Sequence, residues 1–154
     1  MSPVVTIRPA TASDVGFLTD VVIEATLDQG RLPDDFDEVD FRTGFGEWTA
    51  EQVDGDGMGS SISVVQVDGI DAGRLRVVRR RDLVEIAGLQ LLTEHQSLGV
   101  GRTVVDMVVA QARADGLPVE LGVEKDNQRA RAFWERCGFV YVGEDETEHR
   151  LRLT

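Results

Sequence analysis

The nine residues from Glu94 to Arg102, EHQSLGVGR, are rich in glycine and in hydrogen-bond donors, although the chain carries a formal charge of −12. An apolar run, LVEIAGLQLL, precedes them, and a pattern with helical spacing follows, marked by Val104, Val105, Val108, Val109 and Ala112. The stretch therefore predicts a strand-loop-helix junction. The first N–H groups of a helix lack partners and lie at the positive end of its dipole, so this loop is suited to bind a diphosphate.

Composition limits the function classes. The chain has 154 residues, 42% hydrophobic and 29% charged, which predicts one folded domain over residues 1–154. The longest apolar runs are shorter than the about 20 residues that cross a bilayer, and a signal-peptide pattern is missing, so we expect a cytoplasmic protein without a membrane partner. The acidic excess argues against nucleic acid. Cys137 is the only cysteine, which excludes an internal disulfide and a cysteine-based metal cluster.

Strand and helix patterns alternate along the chain. VVTIRPA predicts a strand, and Thr11 with Asp14 predicts the start of a helix over about Ala12 to Thr26. The acidic stretch from Asp28 to Asp56 predicts one or two short helices within long loops. GDGMGSS then predicts a break. The remaining elements are a hairpin turning near Asp68 and Gly69, a strand at LVEIAGLQLL, a helix ending near Gly116 and Pro118, a strand at VELGV, a helix from Asn127 to Gly138, and strands at FVYVG and HRLRL.

This order predicts an α/β fold with a mixed sheet that is antiparallel in its first half. Three nucleotide-binding motifs compete for the glycine-rich loop. A P-loop requires a lysine after the glycines, and a dinucleotide fingerprint requires a third glycine where Val104 stands. The motif Gln/Arg-x-x-Gly-x-Gly/Ala matches from Gln96 to Gly101. It is followed by Asn127-x-x-Ala130-x-x-Phe133-Trp134-x-x-x-Gly138-Phe139.

With these two motifs in this order, the chain resembles the GNAT superfamily of acyl-CoA-dependent N-acyltransferases, from VVTIRPATASD to CGFVYVG. The resemblance implies a mixed, mostly antiparallel sheet, splayed in the middle, with helices on both faces. The splay is expected between the strands at 84–92 and 119–123, and Gly88 is expected to mark the bulge that starts it.

The resemblance also implies acetyl-CoA as co-substrate and no metal. Main-chain groups of Leu91 and Thr93 would hold the pantetheine arm, and Leu98 to Thr103 would surround the pyrophosphate. Asn127 is also explained as a helix cap and Phe133 as a core residue, and both explanations can hold together. The implied cofactor-binding residues are Leu91, Leu92, Thr93, Gln96, Leu98, Gly99, Val100, Gly101, Arg102, Thr103, Asn127, Ala130, Phe133 and Trp134.

An amine that attacks a thioester needs a base for its proton and a donor for the developing oxyanion. The family implies a main-chain N–H near Leu91 as that donor. Glu85 stands eleven positions before Gln96, where the histone-acetylating branch of the family has its general base. The alternative for Glu85 is a glutamate that faces solvent on an alternating strand.

One residue departs from the family pattern. Many members have a tyrosine at the position of Trp134, and its hydroxyl returns a proton to the leaving thiolate, which an indole N–H cannot do. Water could protonate the thiolate, Cys137 or Tyr141 could replace the tyrosine, or the domain could bind acyl-CoA without catalysis. We favour water, because a CoA thiolate is a tolerable leaving group.

The resemblance places the acceptor site in the acidic stretch from Asp28 to Asp56. Its carboxylates would attract a cationic amine while Phe36, Phe41, Phe45 and Trp48 shape the pocket, although a solvated acidic loop explains the charges as well. The predicted function is transfer of an acetyl group from acetyl-CoA to a primary amine of a small, cationic acceptor by direct attack. The alternatives are a noncatalytic acyl-CoA-binding or interaction module and a protein or peptide N-acetyltransferase. Homodimers are common in the family, so a homodimer is a further expectation.

Overall fold

The computed structural model of the chain describes residues 2–55 and 59–154; Met1 and residues 56–58, which include the end of the acidic stretch and part of the predicted break, lie outside the described residues. The strands and helices, in chain order, are β1 Val5–Pro9, α1 Val15–Asp28, α2 Glu38–Asp54, β2 Ser60–Val67, β3 Ile70–Arg79, β4 Val84–Leu91, α3 Val100–Ala114, β5 Val119–Glu124, α4 Gln128–Arg136, β6 Val140–Glu144 and β7 Glu148–Leu153.

The strands form one seven-stranded sheet in the order β1-β2-β3-β4-β5-β7-β6. Every neighbouring pair is antiparallel except β4 and β5, which are parallel. Alternating side chains give the sheet two apolar faces. Leu18 of α1 packs with Ile62 and Val64 on one face, and the apolar side of α3 packs in the larger core on the other. The predicted α/β class, with a mixed sheet and helices on both faces, is confirmed.

The helix α2 differs from the prediction of short helices within loops, because it runs without a break for 17 residues. Asp37 caps it, since its Oδ1 accepts the N–H of Asp40 at 3.1 Å. Within it only Thr49 is fully buried, so the apolar periodicity of a core helix is missing from its sequence. A chain of aromatic contacts replaces that pattern, with successive ring centroids 5.2 to 5.8 Å apart through Phe36, Phe41, Phe45 and Trp48.

The predicted splay lies between β4 and β5. These strands pair only where Val84 faces Val119 and Glu85 faces Glu120, and they diverge beyond that point. The register of β4 against β3 shifts there, because Arg76 faces Gly88 whereas Val77 faces Ile86. The extra residue of this bulge is Ala87, the neighbour of the predicted Gly88. A bulge bends its strand and increases its twist, which directs the second half of β4 away from β5.

An ion-pair network fixes the entry of α1 onto the sheet. The two guanidinium nitrogens Nη1 and Nη2 of Arg8 lie 2.9 and 2.8 Å from the carboxylate oxygens of Asp14, and Nη2 also lies 3.2 Å from Oδ2 of Asp71. The N–H of Thr11 donates to Asp14 at 2.8 Å, which confirms the predicted helix start. The hydrogen bond from Arg8, together with that from Thr11, lowers the pKa of the buried Asp14 carboxyl from its usual 3.8 to about 2.

The substitution Asp14→Asn is expected to lower the free energy of unfolding at pH 7 by about 2 kcal/mol, the linkage value of such a pKa shift. Because the pKa is lowered in the folded state, this stabilisation is present above pH 4 and is lost as the pH falls towards about 2. Urea unfolding of both proteins between pH 7 and pH 2.5 measures the difference. Asp82→Asn is the control for charge, because Asp82 is exposed in the β3–β4 turn. A difference independent of pH, or an equal loss in the control, would contradict the assignment.

Candidate active site

A cleft of about 320 Å³ occupies the gap that the splay opens, and we call it the splay cleft. Its walls are the second half of β4, the glycine-rich loop with the start of α3, α4 and the end of α1. The predicted residues that line it are Leu91, Gln96, Gly99, Gly101, Arg102, Ala130, Phe133 and Trp134. The predicted residues outside its lining are Leu92, Thr93, Leu98, Val100, Thr103 and Asn127.

The glycine-rich loop turns through two left-handed residues, Ser97 with a φ of 64° and Gly99 with a φ of 79°. These turns bring the chain into α3 with its amino end at the cleft. The N–H groups of Val100, Gly101 and Arg102, the first residues of the helix, have no carbonyl of their own helix to bind. They are therefore free to bind an anion, and the helix dipole favours one there.

Gly101 allows the start of α3 to lie close to α4. A Cβ atom at this position would lie 3.3 Å from Cζ of Phe133, so a larger side chain would narrow the splay cleft. Gln96 ties the loop to β4 by donating from Nε2 to the carbonyl of Leu91 at 3.0 Å. Arg102 ties α3 to the end of α4 by donating from Nη1 to the carbonyl of Arg136 at 3.1 Å.

The open edge of β4 is the second feature of the cleft. The N–H of Leu92 donates to Ala72 at 2.9 Å, which makes these two residues a hydrogen-bonded antiparallel pair. Since such pairs alternate along β4, the main-chain groups of Leu91 and Leu89 point away from β3 and towards the gap. An extended ligand with amide groups could pair with this edge as an added strand would.

Thr93 is placed differently from its predicted role. It lies in a short 3₁₀ turn, Thr93–His95, after the end of β4. Its N–H donates to Oε2 of Glu24 at 2.8 Å, and its carbonyl accepts the N–H of Gln96 at 3.1 Å. Both main-chain groups are thus already bound, and Leu89 is the residue whose main chain faces the gap. The sequence could not show this, because it depends on where β4 ends and on Glu24, which lies 69 positions earlier in the chain.

Helix α4 supplies the far wall of the splay cleft. Asn127 caps it, with Oδ1 accepting the N–H of Ala130 at 3.1 Å. The rings of Phe133 and Trp134 meet edge to face at 5.0 Å, and Trp134 meets Phe139 in the same way at 5.5 Å. Phe133 and Trp134 therefore pack against the core and also line the cleft, so core packing explains Phe133 and the cofactor role stays a prediction.

The end of α1 crosses the splay and meets the start of α4. Arg31 forms ion pairs with Glu124 and, at 3.1 Å, with Asp126. Arg129 lies 3.9 Å from Asp28. Two residues of α1 and its cap line the cleft as well, Ala25 and Gln29. Sequence analysis missed them because they lie about a hundred positions from the residues that they face.

A second, larger cavity of about 660 Å³ lies on the α1 and α2 face of the sheet, and we call it the polar cavity. Its charged lining residues are Glu51, Glu85, Glu148, Arg76, Arg80 and Arg150. Ala87 lines the polar cavity, and Leu89 lines the splay cleft. At about 3.3 Å per residue along a strand, these two positions are at most about 7 Å apart, with Gly88 between them, so the two cavities are neighbours along β4.

Glu85 lines the polar cavity, with its side chain 17% exposed. It thus faces a cavity beside the splay rather than open solvent. Its Oε1 accepts Nη2 of Arg80 at 2.8 Å, and Nη1 of Arg150 lies 3.5 Å from Oε2. Glu148, which sequence analysis did not select, faces the same cavity and has no ion-pair partner within residues 2–55 and 59–154.

The two proposed substitutes for a catalytic tyrosine lie away from the splay cleft. Cys137 is 8% exposed in the core, and burial raises the pKa of its thiol. The hydroxyl of Tyr141 donates to Oε1 of Glu144 at 2.6 Å, which raises the pKa of Tyr141. Neither residue lines either cavity. Of the three explanations for Trp134, protonation by water and absence of catalysis keep their support.

In the part of the chain that the structure describes, no group of three His, Cys, Asp or Glu side chains could hold a metal ion. None of the described helices combines the length and the apolar character that crossing a membrane would require.

Comparison with solved structures supports the fold over the full length of the chain. The PaiA N-acetyltransferase of Thermoplasma acidophilum, solved with coenzyme A, superposes with a TM-score of 0.82 at 17% identity, covering 97% of this chain and 98% of that one. A variant of the spermidine N-acetyltransferase SpeG of Vibrio cholerae has a TM-score of 0.70 at 17% identity, over 97% and 92%. YncA of Salmonella typhimurium, solved with its cofactor acetyl-CoA, has a TM-score of 0.64 at 22% identity, over 97% and 93%.

A search of curated proteins finds no match. The sequence model of the acetyltransferase (GNAT) family matches residues 28–139, which contain α2, the splayed strands, the glycine-rich loop, α3 and α4. The match covers well over half of the chain, and the resemblance drawn from the two motifs is confirmed. The chain belongs to the GNAT family of acetyltransferases.

Proposed function

We propose that this acetyltransferase moves the acetyl group of acetyl-CoA to the primary amine of a small, cationic acceptor by direct attack. The observation that carries the proposal is that the two cavities are neighbours along β4, on either side of Gly88. The splay cleft suits a long ligand with a diphosphate at one end. The polar cavity suits a small charged ligand, and the two ligands would meet at the bulge of β4.

The residues of the splay cleft fit coenzyme A. The unpaired N–H groups of Val100, Gly101 and Arg102 would bind the diphosphate, and the edge of β4 at Leu89 and Leu91 would pair with the pantetheine amides. Phe133 and Trp134 would shield the thiol end from water. The coenzyme A in the PaiA structure and the acetyl-CoA in the YncA structure support this choice of ligand.

Bound acetyl-CoA supplies an acyl group on a good leaving group, and the chain supplies the proton transfer and the stabilisation of charge. The acceptor amine must lose a proton before its nitrogen attacks the thioester carbon. Glu85 is the proposed base. The N–H of Leu89, which lies on the same open edge as the predicted Leu91 and next to Gly88, is the proposed donor to the carbonyl oxygen, on which negative charge develops as the C–N bond forms. The C–S bond then breaks, the nitrogen gives its second proton to water as the amide forms, and the thiolate takes a proton from water.

The choice of a cationic acceptor rests on charge. Glu51 and Glu148 line the polar cavity and have no ion-pair partner among the described residues, so an ammonium group would find a counter-charge there. Asp34 and Asp35 lie exposed before α2 and extend the acidic surface. The spermidine N-acetyltransferase of Vibrio cholerae shows that this fold hosts an enzyme for a polyamine.

Two further parts of the proposal concern location and assembly. We propose a cytoplasmic location, because the only cysteine, Cys137, is a buried free thiol and acetyl-CoA is the proposed co-substrate.

We also propose a homodimer. The edge strand β6 exposes Val140, Tyr141 and Val142 to solvent, and a second copy could cover them.

The cofactor site is tested by Gly101→Val. The larger side chain meets Phe133 and narrows the splay cleft, so we expect acetyl-CoA to bind at least about tenfold more weakly, a change of about 1.4 kcal/mol. Calorimetric titration with acetyl-CoA measures the dissociation constant. Gly16→Val is the matched control, because a Cβ there meets nothing within 4 Å. Unchanged affinity in Gly101→Val would place the cofactor elsewhere.

The base is tested by comparing Glu85→Gln with Glu148→Gln, two neutral replacements in one cavity. Loss of a general base typically lowers the rate by about 10²–10⁴-fold, and we expect this for Glu85→Gln with the affinity for acetyl-CoA unchanged. Release of free CoA thiol under amine saturation, measured from pH 6 to 9, gives the rate. A loss confined to Glu148→Gln would move the role of base to Glu148. Equal rates in all three proteins would remove both carboxylates from the mechanism.

The presence of Trp134 in place of the family's tyrosine favours a second candidate, a module that binds acyl-CoA without catalysis. The assay for release of free CoA thiol distinguishes the enzyme from the binding module. An enzyme cleaves the thioester faster when an amine is added, whereas a binding module shows the slow rate of acetyl-CoA in buffer with and without the amine.

The homodimer is tested by light scattering after gel filtration. We expect a mass of twice 16.9 kDa for the unmodified chain. Val140→Glu, which places a charge in the exposed patch of β6, should give the monomer mass. A monomer at all concentrations of the unmodified chain would contradict the proposal, and an intact dimer in Val140→Glu would place the interface elsewhere.

A further inference from the structure

Two arginines on β3 have no counter-ion among the residues that the structure describes. Arg74 and Arg76 stand two positions apart, so their side chains leave the same face of the sheet. Arg74 is only 5% exposed. Neither guanidinium forms an ion pair with a carboxylate of residues 2–55 or 59–154, and the Nε of each is buried without a hydrogen-bond partner there. Buried charges in proteins are usually paired, so this pair requires an explanation.

Aromatic rings of α2 hold the two side chains in place. The guanidinium of Arg74 lies 5.5 Å from the ring centre of Phe45, and that of Arg76 lies 5.0 Å from the ring centre of Trp48. Nη1 of Arg74 also donates to Oε1 of Gln90 at 2.9 Å. Burial, with a smaller effect of Arg76, lowers the pKa of Arg74 to about 10, so it stays charged at neutral pH. Cation–π contacts offset part of the cost of burial, but they leave the charges uncompensated.

The position of the pair connects it with the proposed reaction. Arg76 lines the polar cavity. Arg74 lies deeper, beside Gly88, where a Cβ atom would come within 2.5 Å of its Nη1. Gly88 lies between the polar cavity and the splay cleft on β4. Two positive charges thus converge on the point at which the acceptor would meet the thioester.

The other arginines of the polar cavity already have partners. Arg80 pairs with Glu85, and Arg150 pairs with Glu85 and Glu120. The diphosphate of the cofactor would bind at α3, on the other side of the splay. Since residues 2–55 and 59–154 offer Arg76 no ion pair, an anion from the acceptor is a natural partner for it.

From this arrangement we propose that the acceptor carries a carboxylate, which binds Arg76 with Arg74 behind it. The acceptor would then be a small amino acid or a similar zwitterion. Its ammonium group would find Glu51 or Glu148 in the same cavity, and a cavity of about 660 Å³ holds a molecule of this size. The inference rests on the proposed acetyl transfer and narrows its acceptor from a simple cation to an amine that also carries a negative charge.

Matched pairs of acceptors test the inference. β-Alanine, γ-aminobutyrate and L-lysine are each compared with the corresponding carboxamide, and kcat/KM is measured with acetyl-CoA saturating. We expect the unmodified enzyme to prefer at least one carboxylate over its amide by about 10–100-fold, the range expected for a charge-assisted hydrogen bond. In Arg76→Gln this ratio should fall close to one, because kcat/KM for the carboxylate is lost. Arg76→Lys should keep part of the preference, and Arg81→Gln, an exposed charge control in the β3–β4 turn, should keep all of it.

The possible failures are distinguishable. Amides accepted as well as carboxylates by the unmodified enzyme would overturn the inference and leave acetyl transfer intact. If neither kind of amine is acetylated although acetyl-CoA binds, acetyl transfer to these acceptors fails. Calorimetric titration with N-acetyl-γ-aminobutyrate and its amide then tests whether the polar cavity binds a carboxylate. Binding of the carboxylate alone, lost in Arg76→Gln and partly kept in Arg76→Lys, would support the anion site. Equal binding of both compounds, or binding of neither, would overturn it.

Discussion

The separation of β4 from β5 is the constraint on which the rest of the site depends. After Glu85 the two strands stop pairing, and the edge of β4 keeps unpaired main-chain groups in the interior of the sheet. An unpaired edge inside a folded protein is costly unless something binds it. The bulge at Ala87 leaves an open strand edge with which a ligand that carries amide groups can pair. Helix α3 begins at one end of this edge.

The positions of the two cavities, and of the helices that border each of them, follow from this separation. Helices α3 and α4 bring an unpaired helix start and an aromatic wall to the splay cleft, whereas α2 brings Phe45 and Trp48 against the arginines of the other face. The chain is strongly acidic, yet each cavity has positive groups at its centre. The net charge of a protein therefore says little about the charge that its site selects, because the site depends on a few desolvated groups and on the helix dipole.

Local patterns in the sequence were sufficient for the strands, for α1, α3 and α4, and for the glycine-rich loop, because caps, turns and apolar periodicity are properties of neighbouring residues. The unbroken length of α2 was not predicted, since its stability comes from aromatic contacts and from the packing of Trp48 on α1 and β2. Thr93 was assigned a main-chain role that Leu89 is placed to fill, because β4 ends at Leu91 and the N–H of Thr93 binds Glu24, a residue distant in the sequence. Arg74, Arg76 and Glu148 drew no attention in the sequence, because each becomes distinctive only when β3, β7 and α2 meet around one cavity.

The central claim is that main-chain groups at the splay bind acetyl-CoA. Amide chemical shifts of the ¹⁵N-labelled chain, followed by NMR during a titration with acetyl-CoA, test it most directly. The account predicts that the largest changes fall on Val100, Gly101 and Arg102 at the start of α3 and on Leu89 and Leu91 at the edge of β4, with smaller changes in α4. Saturable changes confined to other parts of the chain, or no changes at millimolar acetyl-CoA, would contradict it.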